Sequence, residues 1–176
     1  MSNHNIIVWL LPIVFMIHDF EEIVFFKDWI DKNKGYLEER FPRLSKLFIR
    51  RVGSLSTPAF ALAVAEEFVL LSAITLASAL WACYELWLAA FMGFFVHLLI
   101  HLVQWVILRR YIPALFTTLL ILPYCIYTLY IIGVNNIFTI PEIALWTIVG
   151  FGLVAVNLIF AHKLAELFNK KLKNAK

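Results

Sequence analysis

The stretch FMIHDFEEIVFF, residues 15 to 26, places a histidine, an aspartate and two glutamates inside an otherwise apolar run. A charged side chain at the centre of a membrane helix costs roughly 2.5 to 3.5 kcal/mol, while each Leu, Ile, Phe or Val returns only about 0.3 to 0.6. If this run crosses a bilayer, its three acids need protonation, water or a bound cation. The fold class therefore turns on whether the surrounding chain belongs in a membrane.

The composition says that it does. Of 176 residues, 62% are hydrophobic and 15% charged, against roughly 45 to 50% apolar in soluble domains. Five apolar runs cover residues 6 to 26, 58 to 81, 86 to 108, 112 to 134 and 141 to 162, each near the ~20 residues needed to cross a hydrocarbon core. Only helices or closed barrels satisfy the backbone in lipid. The expectation is an all-α polytopic bundle of about five transmembrane helices forming a single integral membrane domain over residues 1 to 176. No internal repeat divides it.

Lys and Arg fall in three places: after the first run (Lys27 to Arg51), after the third (Arg109, Arg110) and after the fifth (Lys163 to Lys176). Five spans put all three on one side, which the positive-inside rule makes cytoplasmic, with the amino terminus outside. Trp9, Trp81, Trp87 and Trp146 then sit near outer ends, and Trp29 and Trp105 near inner ends, as an aromatic belt would. The expected location is a bacterial inner membrane. The amino terminus lacks a basic n-region and a small-residue cleavage site, so the first span is expected to be retained.

The net charge is +3, and the basic residues are confined to one side without a nucleic-acid motif, which excludes nucleic acid as the expected partner. In the loop from 27 to 57, Leu44, Leu47, Phe48 and Val52 recur at helical spacing among basic residues, predicting a helix on the inner leaflet. Cys83 and Cys125 differ in depth and lack metal-binding spacing, so both read as structural thiols.

The polar residues within the runs form sets. His18, Glu21 and Glu22 stand at i, i+3 and i+4 on one helical face, with Asp19 to one side. Glu66 and Glu67 lie about 100° apart around the second helix. Of the two, Glu66 is favoured to face the site because it continues a stripe of Ala59, Ala63, Ala73 and Ala77, where membrane helices approach closely. His97, His101 and Gln104 share a face of the third helix. At 1.5 Å per residue, the three sets lie roughly 6 to 12, 12 to 14 and 10 to 16 Å from the inner ends of their spans. They can therefore meet, and no Lys or Arg lies within any span to neutralise them.

Histidine and carboxylate at this spacing are the donors helical bundles use for one or two metals. The predicted ligands are His18, Glu21, Glu22, Glu66, His97 and His101, with Glu22 and Glu67 available as catalytic bases. Imidazole and carboxylate suit a divalent transition metal, zinc or iron foremost and manganese next, as one ion or two. Asn157 can support the site, and Tyr124, Tyr127 and Tyr130 can pack or line a pocket.

With HDFEE in place, the chain resembles the bacterial HXXEE-motif family of small multi-span proteins, through His18, Glu21 and Glu22, the pair Glu66 and Glu67, and His97 with His101. The resemblance implies an architecture and no reaction. The function expected from the residues is a metal-dependent intramembrane enzyme acting from the cytoplasmic side on a lipid or other apolar substrate, by hydrolysis or oxidation. The alternatives are a metal-free acid/base enzyme resembling an isomerase, and a metal or proton transporter or sensor.

Overall fold

A computed structural model describes residues 3 to 174, without the side chains of residues 3 to 5, 44, 47, 48, 50 and 51. The described residues form helices α1 (Asn3–Arg40), α2 (Pro42–Arg51), α3 (Thr57–Trp81), α4 (Tyr84–Leu108), α5 (Leu115–Val134) and α6 (Ile140–Asn174), with no strand among them. Of these, α3, α4, α5 and α6 are long and apolar enough to cross a membrane. The α1 helix is not among them, since Asp19, Glu21 and Glu22 interrupt its apolar stretch. Large apolar side chains such as Val69, Val106, Ile148 and Val156 stay exposed around the bundle, as they do where lipid rather than water is the solvent.

Two helices outrun their expected ends. The α1 helix continues through half of the expected loop to Arg40, carrying i,i+4 ion pairs Lys27–Asp31, Lys32–Asp28 and Lys34–Glu38 along its exposed side. The α6 helix likewise runs past residue 162 to Asn174. In the other direction, residues 112 to 114, expected within a span, belong to the loop between α4 and α5. Arg109 and Ala114 there have φ of 52° and 79°, a left-handed backbone that ends one helix and starts the next.

The helix expected on the inner leaflet is α2, which packs against α1. Most of the side chains that suggested it, Leu44, Leu47 and Phe48, lie outside the described residues. The added length of α1 braces the end of α4. Tyr36 Oη donates to Leu108 O at 2.8 Å and Trp29 Nε1 to Tyr111 O at 2.6 Å, satisfying carbonyls left open at or just beyond a helix end. Arg110 stacks its guanidinium 3.9 Å from the Tyr36 ring centroid.

The core lies where α1, α4 and α5 meet, around Leu11, Leu88, Phe91, Leu98 and Cys125. Pro12 sits inside α1 and lacks the N–H that would bond Val8 O. The Trp87 indole donates to that carbonyl at 3.2 Å. Trp87 is consequently 4% exposed, a correction to the aromatic-belt placement: an orphaned backbone carbonyl draws the indole inward.

The α6 helix closes the bundle through small residues. Ala59 and Ala63 of α3 meet Ala161 and Ala165 of α6. Gly150 lies so close to α4 that a Cβ there would stand 2.0 Å from Ala89 O. The small stripe of α3 is half as predicted: beyond Ala63 the buried face is Leu71, Thr75 and Ser78, while Ala73 is exposed.

Candidate metal centre

His18 and Glu22 of α1 and His97 and His101 of α4 converge. Each offers one donor atom, and the four donors lie within 4.8 Å of one another. His101 Nε2 is 2.9 Å from His97 Nε2 and 3.1 Å from Glu22 Oε1. The His18 ring centroid lies 5.3 Å from that of His97 and 5.2 Å from that of His101. His18 and His101 are buried, at 0% and 7% exposed, while Glu22 and His97 are half-buried.

The surrounding bonds fix which ring nitrogens carry protons. Thr117 Oγ1 has one proton, and its shortest contact is Glu21 Oε2 at 2.6 Å. Oγ1 is therefore the acceptor for His18 Nδ1–H at 3.2 Å, and His18 Nε2 is left with a lone pair. His101 Nδ1 lies 3.1 Å from Gln104 Oε1, a carbonyl that only accepts, so Nδ1 carries a proton and Nε2 is the nitrogen turned to the group.

His18 Nε2, His101 Nε2 and the Glu22 carboxylate thus face one another between α1 and α4. Such acceptors repel unless a proton or a cation lies among them. His18 Nε2 is buried with no hydrogen-bond partner, the position a ligand atom occupies when its other ring nitrogen is tied down. The group could hold a metal ion.

The other expected site residues lie elsewhere. Glu21 turns away from the group and receives the start of α5. It accepts from Thr117 N–H at 2.7 Å, Phe116 N–H at 3.4 Å, Thr117 Oγ1 at 2.6 Å and Tyr111 Oη at 2.5 Å. Backbone donors at a helix start attract a carboxylate, so Glu21 shares a helical face with His18 but serves as a cap. Burial, and then the bond to Glu21, pushes the Tyr111 phenol above its ordinary range, and it keeps its proton.

Glu66 accepts from Asn157 Nδ2 at 3.2 Å, against α6. Glu67 instead lines a cavity of about 110 Å³ between α1, α3, α4 and α6, together with Asp19, His97 and Asn157. Through His97 this cavity adjoins the four-donor group. Tyr124 bonds Ile7 O at 2.9 Å, which is packing, and Tyr127 and Tyr130 are exposed.

Residues 9–128 match the family described as "Protein of unknown function with HXXEE motif". The chain belongs to the HXXEE family. All four convergent donors, Glu21 and Thr117 fall within the matched segment; α6 lies beyond it. No curated protein and no solved structure matches the chain. Within the HXXEE motif of this chain, the histidine and the second glutamate point to the four-donor group while the first glutamate caps α5.

Thr117 and Tyr111 were not foreseen from the sequence. The signal was present in a Thr117–Thr118 pair opening an apolar run beside Pro113, where hydroxyls at a helix start seek partners.

Proposed function

We propose that this protein is a metal-dependent intramembrane enzyme that acts from the cytoplasmic side on a lipid or other apolar substrate. The observation that carries the reading is the unpartnered, buried His18 Nε2 facing two further histidines and Glu22. In this reading His18, Glu22, His97 and His101 hold one divalent ion, zinc or iron. Bound there, the ion supplies Lewis acidity, or redox chemistry if it is iron. Thr117 and Gln104 orient His18 and His101, and the cavity admits an apolar substrate beside His97. Glu67, on the cavity wall, is placed to take a proton from the reacting group.

The cytoplasmic assignment rests on the one-sided Lys and Arg and requires α1 to cross as a fifth span, its acids masked by the ion and by α5. Reporter fusions at residues 2 and 176 should place the amino terminus outside and the carboxyl terminus inside.

Elemental analysis of protein purified without chelator is the deciding measurement. About one zinc or iron per chain is expected, falling at least tenfold in His18→Ala and His101→Ala while helical circular dichroism persists. A metal-free, folded wild type would favour a proton-shuttling enzyme, which the 2.9 Å His97–His101 contact also accommodates.

A further inference from the structure

We infer that an uncharged single-chain aliphatic lipid of the long-chain alcohol class enters the cavity between α1, α3, α4 and α6 sideways from the bilayer, through a mouth between Leu70 of α3 and Leu153 of α6. Its hydroxyl end lies beside Glu67 and Asn157, and its tail stays in the membrane. The inference deepens the proposed function and rests on its reading of this cavity as the substrate's approach to the four-donor group.

The cavity has a polar end and an apolar end. Its wall segments Glu67 to Ile74, Ala90 to His97 and Gly150 to Asn157 each cover about 10 Å of helix. The pairs Ser56–Asn169 and Glu66–Asn157 make α3 and α6 antiparallel, and Gly93 of α4 lies against Gly150 and Val154 of α6. Glu67, His97 and Asn157 therefore share the end next to the four-donor group, while Ile74 and Gly150 mark the other.

Past the polar end the helices shut. Ala161 and Ala165 of α6 pack on Ala59 and Ala63 of α3, and Phe26 of α1 stacks on Phe60 of α3 with ring centroids 5.2 Å apart. The flank is different. Leu70 and Leu153 both line the cavity and are 42% and 47% exposed, so each shows one side to the cavity and another to the lipid-facing surface. The way in is from the bilayer and not from water.

Size and lining then select the occupant. A cavity of roughly 150 Å³ takes a benzene ring. At about 110 Å³ this one admits part of a single chain and no fused ring, with the remainder of the chain left outside in lipid. A charged head would have to leave water and pass between two leucines, a cost that a hydroxyl largely avoids. Asn157 Nδ2 is spent on Glu66 Oε2 at 3.2 Å, which leaves the Asn157 carbonyl to accept. A hydroxyl both donates and accepts, so it pairs with that carbonyl and with the Glu67 carboxyl in either protonation state.

The test uses the full chain in lipid nanodiscs and a hexadecanol probe with a photoactivatable diazirine a few carbons from its hydroxyl, the labelled positions being read by mass spectrometry. Labelling should concentrate on Leu71 and Val154, at the level of the mouth, rather than on the lipid-facing Val69, Val106 and Val156. Unlabelled hexadecanol should compete about tenfold or more better than hexadecanoate or cholesterol. Leu153→Trp, which narrows the mouth, should lower the labelling about fivefold or more, and Val156→Trp on the lipid face should leave it unchanged.

Label spread evenly over the lipid-facing positions overturns the inference, as does equal competition by the carboxylate or the sterol, or an equal response to the two tryptophans. Leu70→Trp narrows the same mouth from α3 and decides the matter should Leu153→Trp fail to fold. Metal content is read on the same samples. Metal retained without selective labelling sinks this inference and leaves the proposed centre standing; selective, competed labelling of metal-free protein does the reverse.

Discussion

The seam between α6 and its neighbours and the polar group between α1, α4 and α5 solve opposite problems. At the seam, Ala59, Ala63, Ala161 and Ala165, with Gly93 and Gly150, carry no hydrogen-bonding side chain, and close backbone approach does the holding. In the polar group, ring nitrogens and carboxylate oxygens are set by neighbours: Thr117 for His18, Gln104 for His101, and the start of α5 for Glu21. One region is limited by the space between backbones, and the other by the orientation its hydrogen bonds impose. The difference teaches that the packed seam and the four-donor group should answer to different substitutions.

That separation can be broken most forcefully at Gly150. A Cβ there meets Ala89 O at 2.0 Å, so Gly150→Ala should lower stability by about 3 kcal/mol, the upper range for overpacking. Metal per folded chain should be unchanged. Thermal unfolding in detergent with elemental analysis of the surviving fraction measures both, and selective metal loss would merge the two regions.

Thr117→Val is the complementary probe. It removes the acceptor that holds the proton on His18 Nδ1, and an orienting contact of this kind typically contributes 10- to 100-fold in metal affinity. A drop of about tenfold is expected in a competitive chelator titration, with Thr117→Ser restoring most of it. An unchanged affinity would show that His18 needs no such orientation.

The smallest effect is expected at Tyr111→Phe. Glu21 loses one of four donors and keeps three at the start of α5, so stability should fall by no more than about 1 kcal/mol and metal affinity by less than in Thr117→Val. A larger metal effect than Thr117→Val would move the control of His18 from the threonine to the phenol.

Much of the centre was legible because helical spacing and depth are both linear in sequence. His18, Glu22, His97, His101 and Gln104 follow from i, i+3, i+4 and i+7 positions at one level. Spacing could not divide Glu21 from Glu22, since both share His18's face; that division depends on where α5 begins, which Pro113 and the left-handed Ala114 decide. Nor could it choose between Glu66 and Glu67. The small stripe favoured Glu66, and the small residues do pack on α6, but Asn157 waits there and takes Glu66, leaving Glu67 for the cavity. The length of α1 was readable in principle: three oppositely charged i,i+4 pairs between Lys27 and Glu38 spell an exposed helix, although hydropathy alone ends the first span at residue 26.

Pro12 and Trp87 form a dependent pair of substitutions. While residue 12 is proline, replacing Trp87 by phenylalanine strands the Val8 carbonyl in the core; were residue 12 alanine, its own N–H would answer that carbonyl and the indole would be dispensable. The cost of changing one position is thus conditional on the other. In relatives that keep this proline in the first helix, the proline and its distant donor should be inherited together, and where the proline has gone the tryptophan is free to drift.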